Sequence, residues 1–350
     1  MVSNARFPAQ KLLDWFDQHR RSFAWRALPG EIIDPYKVWL SEIMLQQTTT
    51  DTVRGYFGKF ISRWPTIEDL AAAELDEVLQ IWQGLGYYAR ARNLHKCAKL
   101  IVADYDGKFP EKEASLVKLP GIGSYTAAAI TAIAFDQVAT PVDGNVERVM
   151  ARLHRITKPL SSVKNDLKMR AAEFTPSKRC GDYAQAVMDL GATICTPKKP
   201  ACALCPWSEI CQAYLVGDME MFPIRTPKKP KPTRYASVFW LLDGRGKVFI
   251  RRREEKGLLG GMMEFPSSDW VVGQWQKKEA LDYAPAVIDW QILDGKIRHT
   301  FTHFHLELRV LKGVQKDGAA LDGIWCEIDQ LGNYALPTVM KKVSAHAIRE

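Results

Sequence analysis

The 350-residue sequence has no apolar run approaching the ~20 residues that a membrane span needs. Its first ten residues, MVSNARFPAQ, have no apolar segment of the kind that directs secretion. Both absences speak against a membrane or exported protein, so the expected location is the cytoplasm. No repeat of fixed period is present, which excludes solenoid and propeller architectures. Cysteine is scarce, seven in all, and in a reducing compartment those seven are not expected to form structural disulfides. A tight group of them therefore points to metal ligation.

The chain is 47% hydrophobic, enough to bury a substantial core, and its length favours two or three domains. The formal charge is +8. Dispersed Lys and Arg can neutralise phosphates and release condensed counterions, so a polyanionic partner fits this balance.

From Pro8 to about Leu215 the pattern is helical. Asp34 can cap a helix with Pro35 at its first position, and Thr66 with Asp69 makes a capping box. Further helices are predicted at about Asp76–Gln83, Tyr88–Asp104, Tyr125–Phe135, Val146–His154 and Asp182–Leu190. The stretch Arg225-Thr-Pro-Lys-Lys-Pro-Lys-Pro-Thr-Arg234 then denies helix hydrogen bonds and carries five positive charges, which marks residues 225–234 as an extended linker. Beyond it, Ser237–Leu242 and Lys247–Arg253 predict a hairpin, Lys296–Lys312 alternates like one long strand, and a helix near Thr338–Ile348 closes an α+β domain. The expected boundaries are 1–224, 225–234 and 235–350.

The densest chemical signal is Cys195, Cys202, Cys205 and Cys211, within seventeen residues. Four thiolates at this spacing can wrap one compact centre, and residue type alone admits zinc or a four-iron cluster. Lys198 and Lys199 sit between the first two ligands, where the centre can hold a basic loop against a phosphate. The segment Leu119-Pro-Gly-Ile-Gly-Ser-Tyr-Thr-Ala127 leads a two-glycine turn into an Ala-rich helix; Gly121 and Gly123 allow close backbone approach, and the helix start offers N–H groups to a phosphate oxygen. Asp143 follows in Val142-Asp-Gly-Asn-Val-Glu-Arg148, ahead of another helix, where a plain N-cap is the simplest reading.

Taken together, the helix, the Leu-Pro-Gly-Ile-Gly hairpin, the second helix, the Asp-Gly-Asn turn and the four-cysteine loop resemble the helix-hairpin-helix DNA glycosylases of the endonuclease III superfamily, over about residues 8–215. Two segments narrow the likeness to adenine glycosylases of the MutY type: Trp39-Leu-Ser-Glu-Ile-Met-Leu-Gln-Gln-Thr48 and Gly84-Leu-Gly-Tyr-Tyr-Ala-Arg-Ala-Arg-Asn93. The resemblance implies an all-α glycosylase domain with one 4Fe–4S cluster on the 195–211 loop. It implies a substrate of double-stranded DNA with adenine opposite 8-oxoguanine or guanine, and a bacterial, nucleoid-associated site of action.

It also implies roles. Glu42 corresponds to the catalytic acid and Asp143 to the carboxylate that stabilises positive charge on the sugar. Chemistry supports the pairing: N-glycosidic cleavage needs a proton on the departing base and negative charge near an oxocarbenium-like carbon. Glu42 must then hold its proton, which calls for a water-poor pocket, while Asp143 acts ionised. Asn145 can orient one of them. Relatives that also cut the backbone carry a lysine nucleophile just after the hairpin, where this sequence has Tyr125. A phenol forms no Schiff base and Lys118 precedes the hairpin, so base removal without efficient strand cleavage is expected, with Tyr125 packing on the pocket. A base inside duplex DNA must be flipped out, and Gln46, Gln47 and Tyr87 are the residues placed to prop the gap.

The C-terminal third resembles the Nudix-like domain of adenine glycosylases, on Gly257-Leu-Leu-Gly-Gly-Met-Met-Glu-Phe-Pro266 and Ile297-Arg-His-Thr-Phe-Thr-His-Phe-His-Leu306. Where the family recognises 8-oxoguanine through Phe-Ser-His, this chain has Phe301-Thr302-His303. Thr keeps the hydroxyl, and its methyl narrows the rotamers. Strand periodicity predicts His303 and His305 on one face with Phe301, and Thr302 and Phe304 on the other. No Arg-Glu-x-x-Glu-Glu helix follows Gly261, only isolated Glu264, Asp269 and Glu279, so metal-dependent nucleotide hydrolysis is not expected.

Two competing readings are a bifunctional pyrimidine-lesion glycosylase, opposed by Tyr125 and the extra domain, and a non-catalytic lesion-binding protein, opposed by the intact Glu42 and Asp143. The chain is expected to act as a monomer, with the linker open to contacts from other repair proteins. Cys97, Cys180 and Cys326 are read as ordinary packing residues.

Overall fold

The computed structural model describes residues 6–227, 230–273, 276–316 and 321–350. Lys228 and Lys229 of the expected linker lie outside the described residues. The chain divides into two compact units, the first of residues 1–72 and 93–228, the second of residues 73–92 and 229–350. No helix among the described residues is long and apolar enough to cross a membrane.

The helices run in the order α1 (Arg6–His19), α2 (Pro35–Leu45), α3 (Thr50–Arg63), α4 (Ile67–Ala72), α5 (Leu75–Ile81), α6 (Ala89–Tyr105), α7 (Glu113–Leu116), α8 (Ser124–Phe135), α9 (Gly144–Leu153), α10 (Lys164–Glu173), α11 (Cys180–Thr193) and α12 (Gln212–Val216). The starts of α2 and α4 carry the expected caps. Asp34 accepts from the Tyr36 amide at 2.9 Å with Pro35 at the first helical position of α2. Thr66 and Asp69 exchange hydrogen bonds reciprocally at the start of α4, Asp69 N donating to Thr66 Oγ1 at 3.2 Å and Thr66 N to Asp69 Oδ2 at 3.1 Å.

One core of the first unit gathers Leu12 and Phe16 of α1, Met150 and Leu153 of α9, Leu167 of α10 and Leu190 of α11 around Trp207. The Trp207 indole donates to the Pro8 carbonyl at 2.8 Å, so this ring is both packed and satisfied. The helices α8 and α11 approach unusually closely. A Cβ on Gly181 would come within 2.7 Å of the Ala132 carbonyl oxygen, and the Ala-rich run of α8 offers no bulk to hold them apart.

In the second unit the strands are β1 (Thr233–Asp243), β2 (Val248–Arg252), β3 (Met263–Glu264), β4 (Val271–Val272), β5 (Gln291–Ile292), β6 (Ile297–Thr300), β7 (His305–Gln315) and β8 (Ile324–Cys326). The main path is β3-β2-β1-β7-β5, with β4 on β1, β6 on β7 and β8 on β2. The long strands β1 and β7 pair in parallel, from Thr233 opposite His305 to Asp243 opposite Gln315. Phe239, Leu241, Phe249, Trp290 and Leu311 form the core of one face. Helices α13 (Lys277–Leu281) and α14 (Thr338–Ala347) complete the unit.

Residues 73–92 cluster with this second unit through specific contacts. Arg252 pairs with Asp76 at 2.6 Å, Gln83 donates to the Tyr334 carbonyl at 2.8 Å, and Arg92 reaches the carbonyls of Gly260 and Glu255.

Two expectations are corrected. The alternating stretch Lys296–Lys312 is two antiparallel strands, β6 and β7, because the chain reverses over residues 301–304, where Phe301 N donates to the Phe304 carbonyl at 2.9 Å. The strand-face assignment of Phe301, Thr302 and His303 therefore fails; they occupy a turn. The extended linker also ends early, since Thr233 and Arg234 already belong to β1.

Candidate active site

Glu42 is carried on α2, a helix buried nearly all round: Val38, Trp39, Leu40, Ser41, Ile43 and Met44 are buried beside it. A carboxyl in such a helix is 7% exposed and faces a cavity of about 670 Å3. Of the residues singled out from the sequence, Gln46, Gln47, Tyr125, Asp143 and Asn145 line that same cavity with it. Burial pushes the Glu42 carboxyl up to about 7; the facing Tyr125 phenol pulls it down, the Asp143 charge pushes it further up and the Arg26 charge pulls it down. Tyr125 is itself held well above the usual phenol range by burial and by the two carboxylates.

Asp143 is the N-cap of α9, as its position suggested. Its Oδ1 accepts from the amides of Asn145 (2.9 Å) and Val146 (2.8 Å), and its Oδ2 accepts from Asn145 Nδ2 at 2.8 Å. Capping and lining the cavity are thus the same placement. Asn145 is held in turn by Arg148, whose Nη2 donates to Asn145 Oδ1 at 2.9 Å and to the Gly191 carbonyl at 2.6 Å. A Cβ at Gly191 would come within 2.6 Å of Asn145 Cβ, so glycine there is what lets α11 pass.

The four-cysteine loop hangs from the same helix. Arg148 Nε donates to the Cys195 carbonyl at 2.7 Å. Arg152, 1% exposed, donates to the carbonyls of Thr196 (2.7 Å) and Pro197 (3.1 Å) and lies 3.3 Å from Cys195 Sγ. Burial raises the thiols of Cys202, Cys205 and Cys211, Cys205 to about 12, and each is raised further by neighbouring cysteines of the set. Among the described residues no three His, Cys, Asp or Glu side chains are grouped tightly enough to hold a metal ion as they stand. The donor chemistry nevertheless fits an iron–sulfur cluster: four soft sulfurs within seventeen residues, with the Arg152 guanidinium beside that of Cys195. Cys97, Cys180 and Cys326 are buried free thiols.

The remaining residues lie elsewhere. Gly121 has φ +78°, and a Cβ there would strike Asn93 Cβ at 2.9 Å; Gly123 is the N-cap of α8 and is exposed. Lys198 and Lys199 are exposed on the cysteine loop. In the second unit, Tyr87 lines a cavity of about 310 Å3 together with Phe301, Thr302 and His303, and its hydroxyl is hydrogen-bonded to that of Thr302. Tyr88 is core, whereas Tyr87 is 43% exposed. Gln47, Tyr87 and Lys199 have positive φ of 58°, 49° and 48°, as Asp106, Asp136, Arg155, Arg179 and Leu259 also do, so left-handed backbone does not by itself mark these positions.

Sequence reasoning missed a second layer. Arg21, Arg26 and Gln185 also line the Glu42 cavity, and Asp189 on α11 is fully buried with both arginines on its carboxylate. The signal was an acidic residue inside the otherwise apolar run Ala186-Val-Met-Asp-Leu190.

Similarity to known proteins agrees with this anatomy. The HhH-GPD superfamily of base excision DNA repair proteins matches residues 40–172, the iron-sulfur binding domain of endonuclease III matches residues 195–211, and a NUDIX domain matches residues 237–346. The adenine DNA glycosylase of Rattus norvegicus is 35% identical over 394 aligned positions, covering 95% of this chain and 76% of that protein. That of Buchnera aphidicola subsp. Schizaphis graminum (strain Sg) is 33% identical, covering 96% and 97%. Among solved structures, a thermostable thymine-DNA glycosylase superposes with a TM-score of 0.54 at 29% identity, covering 61% of this chain and 97% of that one. A non-covalent endonuclease III–DNA complex, at 23% identity and a TM-score of 0.50 over 62% and 98% of the two chains, shows the fold alone. The buried carboxyl facing a capping carboxylate, and the cysteine loop tied to the same helix, thus lie in a chain of which 95–96% aligns with the two adenine DNA glycosylases; it belongs to the adenine DNA glycosylase family of base-excision repair enzymes.

Proposed function

We propose that this DNA glycosylase removes adenine mispaired with 8-oxoguanine or guanine by hydrolysing its N-glycosidic bond, without efficient strand cleavage. The observation that carries the reading is the placement of Glu42 and Asp143 on one cavity with opposite environments. Burial holds the proton on Glu42 to about pH 7, and the Asp143 carboxylate is fixed by three donated hydrogen bonds.

In this mechanism Glu42 donates its proton to the departing adenine as the bond to the sugar breaks. Asp143 offers negative charge to the oxocarbenium-like carbon, and Asn145 keeps its carboxylate oriented. A well-placed general acid contributes roughly 10²–10⁴-fold. Water then attacks the sugar carbon, its proton going to the Glu42 carboxylate, which restores the acid. Tyr125 supports the pocket and has no amine for a Schiff base. Gln46, Gln47 and Tyr87 prop the duplex around the flipped nucleotide, Gly121 and Gly123 receive backbone phosphate at the hairpin, and Lys198 and Lys199 meet phosphate from the cysteine loop. The cluster, when bound by Cys195, Cys202, Cys205 and Cys211, supplies thiolate–iron bonds that pin this loop. Phe301, Thr302 and His303 read the base opposite the adenine.

The same reading gives the first unit the glycosylase chemistry and the second unit lesion recognition, with the linker ending before β1 and available to repair partners, and the chain working as a monomer in the bacterial cytoplasm at the nucleoid. The test is substitution of Glu42→Gln: excision from an adenine:8-oxoguanine duplex should stop while binding to that duplex persists. Lost binding with intact chemistry contradicts the assignment.

A further inference from the structure

Asp189 is 0% exposed, and two guanidiniums converge on it. Arg26 grips it with both nitrogens, Nη1 to Oδ2 at 2.7 Å and Nη2 to Oδ1 at 2.9 Å. Arg21 donates through Nε to Oδ1 at 2.6 Å and through its amide to Oδ2 at 3.1 Å. Arg26 also donates to the Arg21 carbonyl at 3.1 Å, and both guanidiniums lie over the Phe23 ring, at 4.9 and 5.1 Å from its centroid. Both arginines line the Glu42 cavity; Asp189 stands behind them on α11 and does not. The two are not equivalent, since the Arg26 side chain is 9% exposed and that of Arg21 is 27% exposed.

A bare cation beside a general acid favours its ionised form and so reduces the fraction that carries the proton. The charged and titratable groups facing Glu42 are Tyr125 from α8, Asp143 at the start of α9, and Arg26 and Arg21 from the segment before α2. Of these, Arg26 is the cation whose field favours the carboxylate form of Glu42, the form that has no proton to give. Charge screening by solvent is weak at so buried a site. A bidentate clamp from behind does two things to Arg26: it cancels much of the charge, and it fixes the guanidinium plane toward α11.

We propose that Asp189 is a positioning residue for the glycosylase reaction, holding and neutralising Arg26 so that Glu42 keeps its proton at the pH where the enzyme works. The proposal rests on the reading of Glu42 as proton donor. Asp189 touches neither substrate nor the reacting bond, and acts on Glu42 only through Arg26. A buried ion pair is by itself poor evidence for a role in stability, which makes an electrostatic function the sharper account of a carboxylate sealed beneath this pocket.

The test is the pH profile of single-turnover adenine excision by the full chain on an adenine:8-oxoguanine duplex. In the unsubstituted protein the rate should fall as pH rises through about 7, where Glu42 loses its proton. Asp189→Asn leaves Arg26 uncompensated and should move this descending limb to lower pH by about one unit, a roughly tenfold slower reaction on the alkaline side. Arg26→Gln removes the cation and should move the limb to higher pH. The double variant should bring it back toward its original position. A purely structural staple lowers the rate at every pH and leaves the descending limb where it was, and that result overturns the proposal. If Asp189→Asn does not fold, Arg26→Gln decides alone, an unmoved limb again being the contrary result. If the unsubstituted protein has no alkaline limb and Glu42→Gln still excises adenine, it is the assignment of Glu42 that fails.

Discussion

The hydroxyls of Tyr87 and Thr302, 215 residues apart in the chain, share a hydrogen bond at the edge of one cavity in the second unit. The sequence suggested these two residues separately, one for the distorted duplex and one for the opposite base. If they work as one surface, Thr302→Ser should leave discrimination between adenine:8-oxoguanine and adenine:guanine within about twofold. Thr302→Ala should cost the net worth of one hydrogen bond, about 1 kcal/mol or roughly fivefold. Relative excision rates on the two duplexes measure both.

Burial of Glu42 should cost stability as well as enable chemistry. Its folded value, about 7, lies above the ordinary 4.5. A raised carboxyl contributes stability that is present below the unfolded value and lost as pH rises to the folded one. Glu42→Gln should therefore be close to neutral for stability at pH 4 and stabilising at pH 8 by up to about 3 kcal/mol. Thermal unfolding at the two pH values checks this; an equal Tm shift at both contradicts it.

Asp143 can be separated from its capping role. Asn is as good an N-cap as Asp, so Asp143→Asn should keep α9 and change stability by less than about 1 kcal/mol. It removes the negative charge that the proposed mechanism sets against the sugar, and excision should fall by roughly 10²-fold or more, the order of one lost electrostatic group. Asp143→Ala, which loses the cap as well, should add a stability loss of about 1 kcal/mol. Parallel melting curves and single-turnover rates distinguish the two effects.

The cysteine loop predicts a coloured protein. Cluster-loaded material should absorb near roughly 400 nm. Cys205→Ala should abolish this absorbance and the bound iron together. It should also weaken duplex binding with a shallower salt dependence, because Lys198 and Lys199 lose their fixed loop. Zinc in place of iron would contradict the cluster.

Much of this anatomy is legible in the sequence because the informative residues sit where local rules are strict. Asp34, Thr66 and Asp143 mark helix starts by caps that a short polar side chain must supply, and four cysteines in seventeen residues leave few alternatives. The turn at 301–304 left a trace that a single long strand overlooks: Ile297 and Phe301 share one phase, Phe304, Leu306, Leu308 and Val310 the other, so the alternation breaks at Thr302-His303 where the chain reverses. The ion cluster of Arg21, Arg26 and Asp189 was hidden for another reason: its partners are separated by 163 and 168 residues, and nothing local pairs a carboxylate in α11 with arginines before α2. Tertiary electrostatics of this kind have no sequence period. The clustering of residues 73–92 with the second unit was equally silent, since Asp76, Gln83 and Arg92 read as ordinary polar positions on helices.

The central claim is adenine removal without strand cleavage, and one measurement addresses it most directly. Duplexes carrying adenine opposite 8-oxoguanine, adenine opposite thymine, and an oxidised pyrimidine are incubated with the full chain and resolved before and after alkali. Breaks that appear only after alkali, and only at the mispaired adenine, are the predicted result. Nicking at the oxidised pyrimidine without alkali would contradict the account and the role given to Tyr125.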